Sequence, residues 1–251
     1  MEETTKQLLT TIAENQPKIK EVGYNEGFGA GKKSEYDEFW DAYQNNGKVM
    51  EWGPYAFTGI WWNDTTFYPK YDIKPNAGDS YGYFYNNGVS NLRDRIDRRG
   101  LKLDLSKKPT LTQFFRDCLS TEAPDMDTAG CTKFSEFARG AKYMHTIPRL
   151  NLTNATNTNN MFYMAEALQN ITFEGEIPMS ISFQHSPLTV ESLKSIITHL
   201  KDYSGTDSEY TYTVTFKTSA FEALEAEGST SPNGNTWTEY IDDLKWNLAK
   251  A

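Results

Sequence analysis

The residues that could do chemistry near neutral pH are few and scattered. His145, His185 and His199 are the three histidines, and none has a partner at metal-ligand spacing. Cys118 and Cys131 fit neither a four-ligand zinc site nor a disulfide framework. They suit small buried apolar positions, and a single disulfide between them is the other arrangement left open. Gly23, Gly27, Gly29 and Gly31 precede Lys32 and Lys33, which invites comparison with a phosphate-binding loop. That loop needs Gly where Glu26 stands and Ser or Thr where Lys33 stands, so a hinge or close chain packing is the better use of these glycines. No serine nucleophile elbow and no Cys–His signature occurs. The many carboxylates match general solvation, and no pair is marked out for acid–base work. The expectation is a non-enzymatic protein with no catalytic residue, no cofactor and no metal. The sequons at Asn63, Asn151, Asn154 and Asn170 read as chance in a chain rich in Asn and Thr.

A different chemistry is offered by residues 48–75, where eight large aromatics crowd into turn-rich sequence. Trp61, Trp62 and Tyr68 are candidate ligand-facing aromatics, because exposed ring faces stack on sugars and mark interaction sites. The same block could instead lie as an apolar cover over the first turn of a repeat array.

The elements that would hold such residues follow from periodicity. Apolar residues with strand character recur at Leu103, Met126, Leu150 and Phe173, at intervals of 23, 24 and 23 residues. About half a period after each comes an aromatic: Phe115, Phe137, Phe162 and Phe183. A short strand with a returning turn-and-helix at this period is the mark of a leucine-rich-repeat solenoid, in which stacked units bury each other's apolar faces. The expected fold class is therefore α/β: a leucine-rich-repeat-like solenoid over 101–188, with an N-terminal helical anchor and an α+β C-terminal cap. Residues 81–92, with Phe84 as the aromatic, resemble a degenerate entry repeat.

The flanks have their own logic. Leu8, Ile12, Ile19 and Val22 fall on heptad positions, with Asn15 among them and Pro17 interrupting the run. This is either a seam for helix pairing between copies or an amphipathic helix lying on its own domain. Residues 1–33 are assigned to an anchor or oligomerisation segment and 34–100 to an aromatic-rich N-terminal cap. The cap opens with a Ser34-capped helix whose stripe is Tyr36, Phe39, Trp40 and Tyr43. Residues 189–251 form the C-terminal cap. Within it, Thr189 caps an amphipathic helix, 209–216 alternate as a strand, and Thr236 with Glu239 open a last helix. That helix should bury Trp237, Tyr240, Ile241, Leu244 and Leu248.

Composition removes several classes of function. The net charge is −9 with a pI near 5.0 and no basic stripe, which argues against nucleic acid as a partner. No 18-residue apolar run exists to span a membrane, and the N-terminus lacks the pattern of a secretory signal. Aromatics at 14% set the chain apart from aromatic-poor disordered sequences.

Three segments carry a resemblance. "NNMFYMAEALQNITFEG", "FSEFARGAKYMHTIPRLNL" and, more loosely, "TQFFRDCLSTEAPDMD" resemble the BspA-like leucine-rich repeat. The aromatic block from Ser34 to Pro75 and the tail from "SPLTVESLKSII" to "TWTEYIDDLKWN" resemble phage and prophage tail or fibre proteins of gut bacteria. The resemblance implies a virion surface protein assembled in the bacterial host cytoplasm and engaged in adhesion or host recognition. It implies a homotrimer bound to other virion proteins, with a host cell-surface glycan or protein as ligand. A secreted bacterial adhesin fragment of the same repeat class, or a glycan-degrading virion enzyme, are the alternatives.

Overall fold

The structure is a computed structural model that describes residues 50–52, 72–75, 82–206 and 212–251. The chain divides into two compact units, Met1–Lys48 and Val49–Ala251, and the described residues all lie in the second. Its elements in chain order are β1 (Met50–Trp52), β2 (Ile73–Pro75), α1 (Leu92–Arg95), a 3-10 turn (Asp97–Arg99), β3 (Thr146–Asn151) and β4 (Asn170–Glu174). There follow β5 (Ile181–Phe183), α2 (Val190–Thr198), β6 (Tyr212–Phe216), α3 (Thr218–Ala226), α4 (Trp237–Asp243) and β7 (Trp246–Lys250).

These strands make three small parallel sheets: β1 with β2, β3 with β4, and β5-β6-β7. Single parallel bridges lie between them, joining Ile73 to Leu103, Leu103 to Met126, Glu122 to Thr146, and Ile177 to Leu200. The β3–β4 register slips between Ile147 and Leu150, where Pro148 brings no N–H to the ladder.

The expected α/β leucine-rich-repeat-like solenoid is not what the chain forms. Among the described residues helices are few and short, and none recurs with each unit between residues 101 and 188. The segments that were to return as helices are turns. Alternate backbone N–H groups donate to the neighbouring turn: Gln113 to Ser135 (2.9 Å), Phe115 to Phe137 (2.7 Å), Glu136 to Asn159 (2.8 Å) and Ala138 to Met161 (2.9 Å); those between them, as Phe114 to Leu111 and Phe137 to Phe134, donate three residues back and not four. Two residues in each turn are left-handed. Gly82, Gln113, Glu136 and Asn160 hold φ of 61°, 56°, 55° and 53°, and Asn86, Asp117, Gly140 and Met164 hold 51°, 53°, 68° and 59°. An α-helix cannot contain such residues, since the left-handed region breaks the helical path of an L-chain.

The C-terminal part also departs from an α+β cap. The order there is β5-α2-β6-α3-α4-β7, with a helix or a helix pair between successive strands, and the sheet is wholly parallel, as helical crossovers allow. Thr189 accepts a hydrogen bond from Ser192 N at the start of α2, and Thr236 with Glu239 closes a capping box on α4. Lys245, at φ 64°, ends that helix early, so Leu248 belongs to β7 and not to the helix.

The core is built from rings. Tyr83 stacks on Phe114 (5.4 Å) and Phe84 on Phe115 (5.4 Å). Phe137 meets both Phe115 (5.3 Å) and Phe162 (6.5 Å) edge-on. Phe162 stacks on Phe183 (4.9 Å), Phe183 on Phe216 (6.1 Å) and Phe216 on Phe221 (5.6 Å). Leu103, Met126, Leu150 and Phe173 are buried beside this line of rings. Each such aromatic pair adds about 0.5–1.5 kcal/mol to plain area burial.

Candidate functional site

One register position on the outside of the turns gathers polar and aromatic side chains. Asn86 N donates to Arg116 O, Asp117 N to Arg139 O, and Gly140 N to Tyr163 O, each at 2.8 Å. These three bonds place Tyr85, Arg116, Arg139 and Tyr163 at the same point of four successive turns. All four are half-buried. Each follows two buried residues, Tyr83 and Phe84, Phe114 and Phe115, Phe137 and Ala138, and Met161 and Phe162.

The column is tightly cross-linked. The Arg116 guanidinium lies over the Tyr85 ring (5.4 Å), and that of Arg139 over the Tyr163 ring (5.5 Å). Between them stands Glu136. Its carboxylate accepts from Arg116 Nη1 (2.6 Å), Arg139 Nη1 (2.6 Å) and Gln113 Nε2 (2.7 Å). Burial raises the Glu136 carboxyl, but hydrogen bonds from Gln113 and Arg139 and the two guanidinium charges outweigh it and hold it below the usual glutamate range. Arg116 Nε also approaches Asp117 Oδ2 at 3.4 Å. Tyr163 meets the His185 ring edge-on at 5.0 Å, and His185 Nε2 lies 2.9 Å from Gln184 Nε2. The arrangement is a row of planar groups, each braced by the next turn, with a fixed carboxylate at its centre.

A second charged row lies where the bridges run. Arg93 reaches Glu122 (3.1 Å), and Arg149 reaches Asp125 (2.7 Å) and Glu174 (3.6 Å). Asp97 accepts from Asp125 N (2.7 Å), and burial raises its carboxyl. These groups are engaged with one another across turns.

The residues singled out in the sequence fare differently. Leu8, Ile12, Ile19 and Val22, and the aromatics Trp61, Trp62 and Tyr68, lie outside the described residues. His145 is exposed. His199 turns Nδ1 to the Ser195 carbonyl (2.6 Å) at the end of α2. His185 alone of the three joins the column. Cys118 and Cys131 are free and buried, and burial pushes both thiols up to about 12, so neither is a ready nucleophile. Among the described residues no three His, Cys, Asp or Glu side chains form a cluster suited to a metal ion. No helix there is long and apolar enough to cross a membrane.

The column was missed because Tyr, Arg, Arg, Tyr and His share no residue type. Its signal was positional: Tyr85, Arg116, Arg139 and Tyr163 each come one residue after a buried member of the turn, and His185 two residues after Phe183. Compared with known proteins, the chain has no significant match to a family model, a curated protein or a solved structure.

Proposed function

We propose that this chain is a non-enzymatic recognition component of a phage particle, in the tail, baseplate or fibre, serving adhesion or host attachment. The observation that carries the recognition role is the column from Tyr85 to His185. Tyr and Arg are among the residues that most often anchor interfaces, and here each is braced by a ring or guanidinium of the adjoining turn. The placement on a particle rests on the resemblance of the repeats and tail segments to phage tail and fibre proteins. The segment with Leu8, Ile12, Ile19 and Val22 joins copies as a trimer or docks the chain on another virion protein.

Antibody labelling of purified particles tests the placement. Gold at the tail or its fibres is expected, and label found only in the soluble lysate overturns it. Adhesion of the purified chain to intact host cells tests the role: binding saturable by unlabelled protein is expected, and its absence on every susceptible strain overturns it.

A further inference from the structure

We infer that the column from Tyr85 to His185 takes a neutral, extended oligosaccharide lying across the turns. This rests on the recognition role proposed above and names the ligand class for the same residues.

Spacing is the first ground. The column offers one planar polar group per turn: the phenols of Tyr85 and Tyr163, the guanidinium groups of Arg116 and Arg139, and the imidazole of His185. Turns joined by backbone hydrogen bonds repeat at about 4.8 Å, so the five groups span about 19 Å. A ligand that meets every group must carry a polar unit at that same interval. A chain of pyranose rings comes near that interval and carries hydroxyl groups along both edges of every ring. An extended peptide advances about 3.3 Å per residue and alternates sides, so it runs out of step with the row.

Charge is the second ground. Arg116 and Arg139 are offset by Glu136 and Asp117, which they touch. The charges of these four side chains thus cancel, on a chain of net charge −9. Long-range attraction of a polyanion is absent, and a ligand that relies on hydroxyl groups suffers no repulsion.

Geometry is the third. Tyr163 is flanked by Arg139 from one turn and His185 from the next, so ring stacking within the column is taken up internally. A guanidinium has five N–H donors in one plane, and Glu136 takes only part of that set from each arginine. Hydroxyl pairs on a sugar match such forked donors, and the planar groups are already immobilised, which lowers the ordering cost of binding.

The test uses the full chain, calorimetric titration, and linear oligosaccharides of glucose, mannose and galactose in graded lengths. Uronic-acid oligomers serve as the anionic control. At least one neutral series is expected to bind, to tighten with length until the row is filled, and to be insensitive to added salt. Tyr163→Phe, which removes one hydroxyl and keeps the ring, should weaken binding about tenfold. Arg139→Lys, which keeps the charge and loses the fork, should do the same. Binding of the anionic oligomers alone, salt-sensitive binding, an affinity unmoved by both variants, or no binding to any series overturns the inference. If the protein still adheres saturably to host cells in those cases, the recognition role stands and only the ligand class falls.

Discussion

Gly140 donates its backbone N–H to the Tyr163 carbonyl and so stands beside Met164 in the next turn; both residues are left-handed, at φ 68° and 59°. The left-handed region costs an L-residue with a Cβ roughly 1–2 kcal/mol, and glycine close to nothing. Met164 is 38% exposed, so its side chain contributes little packing in return. Met164→Gly relieves that strain but adds about 0.4–1 kcal/mol of unfolded-state freedom, so it should leave stability unchanged or raise it by a few tenths of a kcal/mol. Gly140→Val should lower it, because its Cβ would also collide with Asp117 Oδ1. Denaturant midpoints of the two variants check the pair, and a drop for Met164→Gly would show that the turn does not strain this residue.

The same two residues show what could be read from the sequence and what could not. Burial was legible, since the 23-residue spacing put Leu103, Met126, Leu150 and Phe173 inside, along with Phe115, Phe137, Phe162 and Phe183. Burial depends on one residue's own chemistry. The backbone of the turns was not legible. Gln113, Glu136 and Met164 are good helix formers by propensity, yet each is left-handed because its turn is hydrogen-bonded to a neighbour more than 20 residues away. That long-range condition leaves no local mark, so helices were expected where turns stand. The candidate column suffers from the same blindness, since Arg139 and Tyr163 acquire a joint meaning only once Gly140 N has been bonded to Tyr163 O.

Phe162 is the joint between the two halves of the ring line. It stacks on Phe183 at 4.9 Å and meets Phe137 edge-on at 6.5 Å, with 1% of its surface exposed. Phe162→Ala should destabilise the fold by about 3–5 kcal/mol. Thermal or denaturant unfolding measures this, and a loss well under that range would mean that the neighbouring turns collapse into the space.

The acid response should show Glu136. Its carboxyl is held below the ordinary value of 4.5 in the folded protein, so it contributes stability that is complete above that value. The contribution is lost as pH falls through the lower native value. Glu136→Gln should thus be less stable than the natural chain at neutral pH, and the gap should close in acid well below 4.5. Melting temperatures of both proteins across that range test the sign; a gap that widens in acid would contradict the carboxylate's place between Arg116 and Arg139.

Charge alternates along the turns, and Arg149 is where the alternation can be tested. Residues 93–108 carry Arg93, Arg95, Arg98, Arg99, Lys102, Lys107 and Lys108 against Asp94, Asp97 and Asp104. Residues 117–132 carry Asp117, Glu122, Asp125 and Asp127 and no cation. Residues 133–149 are again mainly basic, and 150–193 hold Glu166, Glu174, Glu176 and Glu191 with no Lys or Arg. The ion pairs follow this order, since Arg93 reaches forward to Glu122, while Arg149 reaches back to Asp125 and forward to Glu174. Arg149 is 38% exposed, so simple loss of its charge in Arg149→Gln should cost no more than about 1 kcal/mol. Arg149→Glu is a different matter, because it sets three carboxylates on three adjoining turns. It should destabilise more than Arg149→Gln does, and added salt should narrow the difference, since exposed charges are screened within about 8–10 Å at ordinary ionic strength. Combining Arg149→Glu with Asp125→Arg restores an opposite-sign pair and should recover part of the loss. If the double variant is no better than the sum of its two single changes, the alternation does not help to set which turn lies against which.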